Sequence, residues 1–208
     1  MKSFNNFITE SEAKGGLHMF DVDDTLFHTT AKIHVVNSKT GETKQTLDNS
    51  EFNTHTLPDG HHYDFQEFRN ADKFHKESKP IHKMIAKIRK LHDNVKKKEG
   101  SKVILNTARA DFDDKDKFLD KFKQHGIDID NIHVERAGNI PGNEHPAEKK
   151  AQIVRNHLAR QKYKHVSLYD DSKANLNRLL KMKHEYPDVQ FHAYHVQPDG
   201  TVKKHKDV

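Results

Sequence analysis

The chain predicts an α/β fold, a mainly parallel sheet carrying helices on both faces. Two observations lead there. From residue 80 onward, helical and strand patterns alternate: helix, strand, helix, strand, to the last strand near residue 196. That order closes into parallel strands joined by helical crossovers. The second is where the apolar residues fall. Only 33% of the 208 residues are hydrophobic, 32% are charged, and mean hydropathy is −1.01. An average domain is nearer ~25% charged, so disorder is the alternative to exclude. The apolar residues nevertheless gather in compact runs, which predicts a folded domain with a thin core and a heavily solvated surface. The length suits one domain with a modest insertion.

The elements follow in order. Leu17 to Val22 is a strand ending in Asp21-Val22-Asp23-Asp24-Thr25. Ala31 to Asn37 and Glu42 to Leu47 flank Ser38-Lys39-Thr40-Gly41 as a β-hairpin. Residues 48–78 are mixed, with a short helical pattern near Asp64 to Arg69. Pro80 opens the clearest helix, whose apolar stripe is Ile81, Met84, Ile85, Ile88, Leu91 and Val95; Gly100 stops it. Lys102 to Asn106 is a buried strand. Phe112, Phe118, Leu119 and Phe122 line the next helix, ended by Gly126. Ile127 to Val134 contains a strand. Pro146 opens a helix through Ala151, Val154 and Leu158. Val166 to Tyr169 is a strand, Asn175 to Tyr186 a helix, and Val189 to Val196 a last strand.

Composition excludes some chemistry. With no Cys there are no disulfides, no thiol catalysis and no Cys-ligated zinc. No window approaches the ~18 apolar residues of a membrane span. The first sixteen residues lack the long apolar stretch of a signal peptide. The expectation is a cytoplasmic protein with no membrane partner. The net charge of +5, with 18 His, suits anionic partners such as phosphates or nucleic acid, and suits plain solubility equally. The stripe Lys83, Lys87 and Lys90, with Lys96-Lys97-Lys98, reads as a solvated helix face or as a track for a nucleic-acid backbone. Phe52, Tyr63, Phe65 and Phe68 read as a small core or as base-stacking rings. His55, His61 and His62 do not make the closed set of four ligands that structural zinc requires.

In open parallel sheets, ligands bind beyond the carboxyl ends of the strands. Three predicted strands end there in polar residues: Asp21 to Thr25, then Asn106-Thr107-Ala108-Arg109, then Asp170-Asp171-Ser172. The helix before the third carries Lys149-Lys150. Gathered carboxylates repel unless a cation sits among them, and hard oxygen ligands suit Mg²⁺. Mg²⁺ beside a carboxylate nucleophile is an arrangement for phosphoryl transfer.

DVDDTL, LNTAR, KKAQIV and LYDDSKANL, in that order, resemble the four motifs of the haloacid dehalogenase (HAD) superfamily of phosphotransferases. The resemblance covers residues 15–27 and about 80–197, and the chain is similar to small phosphatase-like proteins of bacteriophages and bacteria. It implies a Rossmann-like HAD core in a single domain over 1–208, with residues 28–79 as a cap-type insertion. It also implies roles. Asp21 is the nucleophile and a Mg²⁺ ligand. Asp23 is the general acid and then the base, and its backbone carbonyl is a further ligand. Thr107 binds phosphoryl oxygens, Lys150 offsets charge, and Asp171 completes the metal site with Asp170 close by. Lys149 and Lys150 both stand at the third motif. Lys150 fits better, because Ala151 follows it and Val154 lies four on. Arg109 is expected at the substrate phosphate.

Bland readings stand beside these. Asp170, Asp171 and Ser172 suit a helix cap, and Thr107 a turn. A calcium loop lacks its Gly at position six and Glu at twelve. A receiver domain places its Lys after the acids, the reverse of the order here. The leading expectation is a Mg²⁺-dependent phosphatase of phosphate monoesters, its substrate a phosphorylated small molecule, a nucleotide or a nucleic-acid terminal phosphate. The alternative is a non-catalytic nucleic-acid or protein-binding module on the same fold.

Overall fold

The computed structural model describes residues 15–142 and 144–206. The opening segment read above for its lack of an apolar stretch lies almost wholly outside them. β1 (Gly16–Phe20) is central in a six-stranded sheet. On one side lie β7 (Lys102–Thr107) and β8 (His133–Arg136), and on the other β9 (His165–Asp170), β10 (Gln190–Val196) and β11 (Val202–His205). The first five of these strands run parallel, and β11 pairs antiparallel with β10. The fold is therefore mixed α/β with a mostly parallel central sheet flanked by helices. Among the described residues no helix is long and apolar enough to cross a membrane.

Strand alternation divides the core between the two faces. Phe20, Val103 and Leu105 point to one face. There they pack on Met84, Ile85 and Ile88 of α3 (His82–Val95) and on Phe118 and Phe122 of α4 (Lys115–Gln124). Leu17, Met19, Ile104, Val166 and Leu168 point to the other. They pack on Ala151 and Val154 of α5 (Pro146–Arg160) and on Leu176 and Leu179 of α6 (Lys173–Lys181). Each fully buried side chain of this kind contributes roughly 1.5–3 kcal/mol, and that is what holds the strand ends in register.

Several expectations shift. Pro80 does not open α3. It lies in the two-residue strand β6 (Lys79–Pro80), paired with β2 (Phe27–His28), and the helix starts at His82 after Ile81 has donated its N–H to the Leu26 carbonyl (2.9 Å). Phe112 precedes α4 rather than lining it, stacking on Phe118 at 3.7 Å. The helix expected over 175–186 ends at Lys181, with a 3₁₀ turn at Met182–His184. Val189 to Val196 is not the last strand, because β11 follows.

Between β2 and β6 the chain builds a second unit. β3 (Ile33–Asn37) and β4 (Thr43–Leu47) form the expected hairpin, and β5 (His61–Asp64) adds a third antiparallel strand to β3. Ile33, Val35, Leu47 and Phe68 are its buried centre. α1 (Asn49–Phe52) follows the hairpin directly and is started by a capping box: Asp48 accepts the Glu51 N–H, and Glu51 accepts the Asp48 N–H. The pattern near Asp64 to Arg69 yields only a 3₁₀ turn at Gln66–Arg69. The helix comes later, as α2 (Ala71–Glu77), capped by Asn70.

Candidate functional site

β9 and β7 flank β1, so the chain ends of three adjacent parallel strands meet at one edge. Asp21 extends β1 by one residue, its N–H bonded to the Tyr169 carbonyl at 2.9 Å, and so stands beside Asp170 at the end of β9. Thr107 ends β7. Beyond Asp21 the chain turns sharply. Leu26 and Phe27 both donate to the Val22 carbonyl, and Asp24 takes a positive φ of 51°. Asp is one of the few side chains that accept this left-handed backbone.

Lys150 reaches into this edge from α5. Its Nζ lies 2.7 Å from Asp21 Oδ1 and 2.8 Å from Asp170 Oδ2, with the lysine and both carboxylates buried. Lys149 turns away and donates to the Gly142 carbonyl (2.8 Å). The geometry therefore brings Lys150, not Lys149, to the carboxylates. Asp21, Asp170 and Asp171 each bring an oxygen within 4.8 Å of the others.

The electrostatics are unbalanced. Burial lifts Asp21 to about 7, against Lys150, with Asp170 and Asp23 adding to the rise. Burial also pushes Asp171 well above the usual carboxylate range, reinforced by Asp170, Asp21 and Asp24. Burial pulls on Lys150 in the opposite sense, but Asp170 and Asp21 outweigh it and hold the ammonium more firmly charged than usual. One ammonium thus faces three carboxylates. An all-oxygen donor set with excess negative charge fits a hard divalent cation such as Mg²⁺.

The four acids do not contribute alike. Asp170 is saturated. Its oxygens accept from Lys150, from the Asn175 amide (2.9 and 3.0 Å) and from the Ser172 N–H (2.9 Å). Asp170 is therefore held against Lys150, while one of its oxygens stays within 4.8 Å of oxygens of Asp21 and Asp171, so the three expected carboxylates stand together where a cation could sit. Asp171 is half-buried, touched by the Asn53 amide of the inserted unit at 3.3 Å, while His195 bonds its backbone carbonyl (2.9 Å). Asp21, bonded by Lys150, and Asp171, bonded by Asn53, have fewer partners on their carboxylates than Asp170. The Asp23 carboxylate is held elsewhere, by Arg109.

Arg109 corrects a further expectation. It is not free to meet a substrate phosphate. It is 2% exposed, and its Nε and Nη2 donate to the two Asp23 oxygens at 2.9 and 2.7 Å. Nη1 donates to the Phe68 carbonyl (2.6 Å), and the guanidinium lies between the Phe68 and Phe74 rings, 4.9 and 4.7 Å from their centroids. Thr107 is fully buried. Its hydroxyl accepts the Arg109 N–H (3.1 Å) and keeps its own proton to donate.

Sequence reasoning missed Asn175, which stands within the LYDDSKANL run and clamps Asp170, and Asn49, whose amide holds Asp24 at 2.8 Å. Of the insertion rings, Phe68 is buried, Phe52 and Tyr63 half-buried, and Phe65 is 39% exposed. His55 bonds the Tyr63 hydroxyl and Gln45, an ordinary structural role. No protein-family model matches the chain, and no curated protein or solved structure matches it significantly.

Proposed function

We propose that this chain is a Mg²⁺-dependent phosphatase of HAD type, hydrolysing phosphate monoesters through an aspartyl-phosphate on Asp21, with the unit at 28–79 as its cap. The observation that carries the reading is Lys150 lodged between Asp21 and Asp170, at the edge where Asp171 joins them. A binding module has no use for a buried, mutually repelling carboxylate cluster, whose assembly costs stability. Held by Asp21, Asp171 and the Asp23 carbonyl, Mg²⁺ would neutralise charge on the transferring phosphoryl group.

The chain's own groups divide the remaining work. Asp21 attacks phosphorus as the ester oxygen leaves, and Asp23 gives that oxygen a proton. Water then attacks the phosphoryl group on Asp21, Asp23 takes its proton, and inorganic phosphate departs with Asp21 restored. Lys150 fixes the attacking oxygen and offsets charge, and the Thr107 hydroxyl donates to a phosphoryl oxygen. Arg109 orients Asp23 and leaves substrate contact to others. The test is phosphate release from a panel of nucleotides and small phosphate esters. Turnover that needs Mg²⁺, stops in excess chelator and is lost in Asp21→Asn supports the reading. Full turnover by Asp21→Asn, freed of deamidated protein, overturns it.

A further inference from the structure

We propose that the face of β9, β10 and β11 on the α3 side binds single-stranded nucleic acid, with stacked tyrosines meeting bases and a ring of cations meeting phosphates.

Three cross-strand rows make up this face. Phe20, Tyr169 and Tyr194 stand opposite one another on β1, β9 and β10, and their rings stack at 4.5 and 4.7 Å with interplanar angles of 9° and 12°. Next toward the strand starts come His18, Ser167 and His192, then Gly16, His165 and Gln190. His18 bonds the Ser167 hydroxyl at 2.7 Å, and the His18 and His165 rings are 5.3 Å apart. The close fit is visible at Gly16, where any Cβ would collide with the His165 ring.

The helices that seal this side of β1 and β7 do not close over β9 and β10. Tyr169, His165, His192 and Tyr194 all remain half-exposed. α3 instead forms one wall. Lys83 is anchored at the β10–β11 turn by Asp199 (2.9 Å), and Lys87 stands 5.5 Å over the Tyr169 ring. Lys204 on β11 is opposite Tyr194 and forms the other wall. Lys98 acts on both His18 and His165. Lys164 adds to the positive surroundings of His165.

A sheet face walled by the exposed lysines Lys87, Lys98 and Lys204, carrying rings at its top, matches the needs of a flexible polyanion with planar groups. Phosphates take the lysines, and a base extends the ring stack beyond Tyr194. A duplex keeps its bases stacked inside and cannot use the rings, so the single strand is the partner this face fits.

The test is fluorescence anisotropy with labelled 12-mer oligo(dT) and oligo(U), in EDTA so that no metal-dependent turnover intervenes. Binding is expected at low salt, with a log K against log salt slope of about −2, as three phosphate contacts would give. Lys87→Glu/Lys98→Glu/Lys204→Glu, all at exposed positions, should weaken binding at least tenfold. Tyr194→Leu, which keeps apolar packing, should weaken it severalfold with the salt slope unchanged. Circular dichroism confirms that each variant is folded. No binding by the wild type overturns the proposal. So does unaltered binding by the triple variant, and so does a wild type that prefers a duplex of equal length. These outcomes are independent of whether the Asp21 site turns over any ester.

Discussion

Arg109 and Asp23 form a two-pronged ion pair, 2.9 and 2.7 Å, between residues 86 positions apart, with the Arg109 side chain 1% exposed and that of Asp23 11% exposed. The pair ties the loop after β1 to the loop after β7. Through the Phe68 carbonyl it also ties both to the inserted unit. One buried cation thus fixes the position of a carboxylate that the proposed chemistry needs in a single place.

Removing that cation should be severe. Arg109→Ala leaves Asp23 and the Phe68 carbonyl without their partner and empties the space between two rings. Breaking a buried pair from one side costs about 3–5 kcal/mol. Urea unfolding should show that loss at neutral pH. A midpoint within error of the wild type would mean that the pair contributes nothing to the folded state.

The two adjacent lysines should separate cleanly. Lys149→Gln removes an exposed contact to a backbone carbonyl and should leave turnover within about twofold. Lys150→Gln removes the ammonium lodged between Asp21 and Asp170 and should lower kcat by roughly 10²–10³, the range for deleting one group that stabilises transition-state charge. Steady-state kinetics on one phosphate ester measures both. The reverse ranking would discard the assignment of Lys150.

Acid should loosen the opposite end of the sheet. Burial lowers His18 to about 4, with His165, Lys98 and His192 adding to the effect. Its folded value therefore lies below its unfolded value of 6.5. The unfolded chain takes up the proton first, so stability is fully present above pH 6.5 and is lost as pH falls toward 4. The loss is on the order of 2 kcal/mol once solvent screening at this half-buried position is allowed for. Thermal melts across pH 7.5 to 4 should slope downward, and His18→Gln, which can still bond Ser167, should flatten part of that slope. Identical slopes in both proteins would show that His18 is not the group responsible.

The legible parts of the fold were those whose residues carry strong apolar contrast. β1 and β7 are largely buried on both faces and β9 on one, and all three read as apolar runs. β11 and β5 did not announce themselves. Val-Lys-Lys-His and His-His-Tyr-Asp are edge or surface strands, formed by pairing with a neighbour rather than by burial. α2 buries only Ala71 and Phe74, too few for a visible stripe. The acids at the site were legible because they punctuate strand ends. Their division of labour was not. That Asp170 is saturated depends on Asn175 one helical turn along, and that Arg109 is spoken for depends on a partner distant in sequence.

That division of labour sharpens the last prediction. Asp23 has two proton tasks in the proposed reaction, one for the leaving oxygen and one for the attacking water. An alkyl phosphate has a basic leaving oxygen that must be protonated, whereas an aryl phosphate leaves with little help. Asp23→Asn should therefore slow an alkyl ester more than an aryl ester, and Asp21→Asn should stop both. Arg109→Lys keeps a positive charge but cannot grip both Asp23 oxygens at once. If Arg109 acts by orienting Asp23, this variant should shift the alkyl-to-aryl rate ratio in the same direction as Asp23→Asn, with KM for either ester little changed. If Arg109 instead bound the substrate phosphate, KM would rise for both esters and the ratio would stay put. The paired measurement of kcat and KM on the two esters decides between orientation and binding.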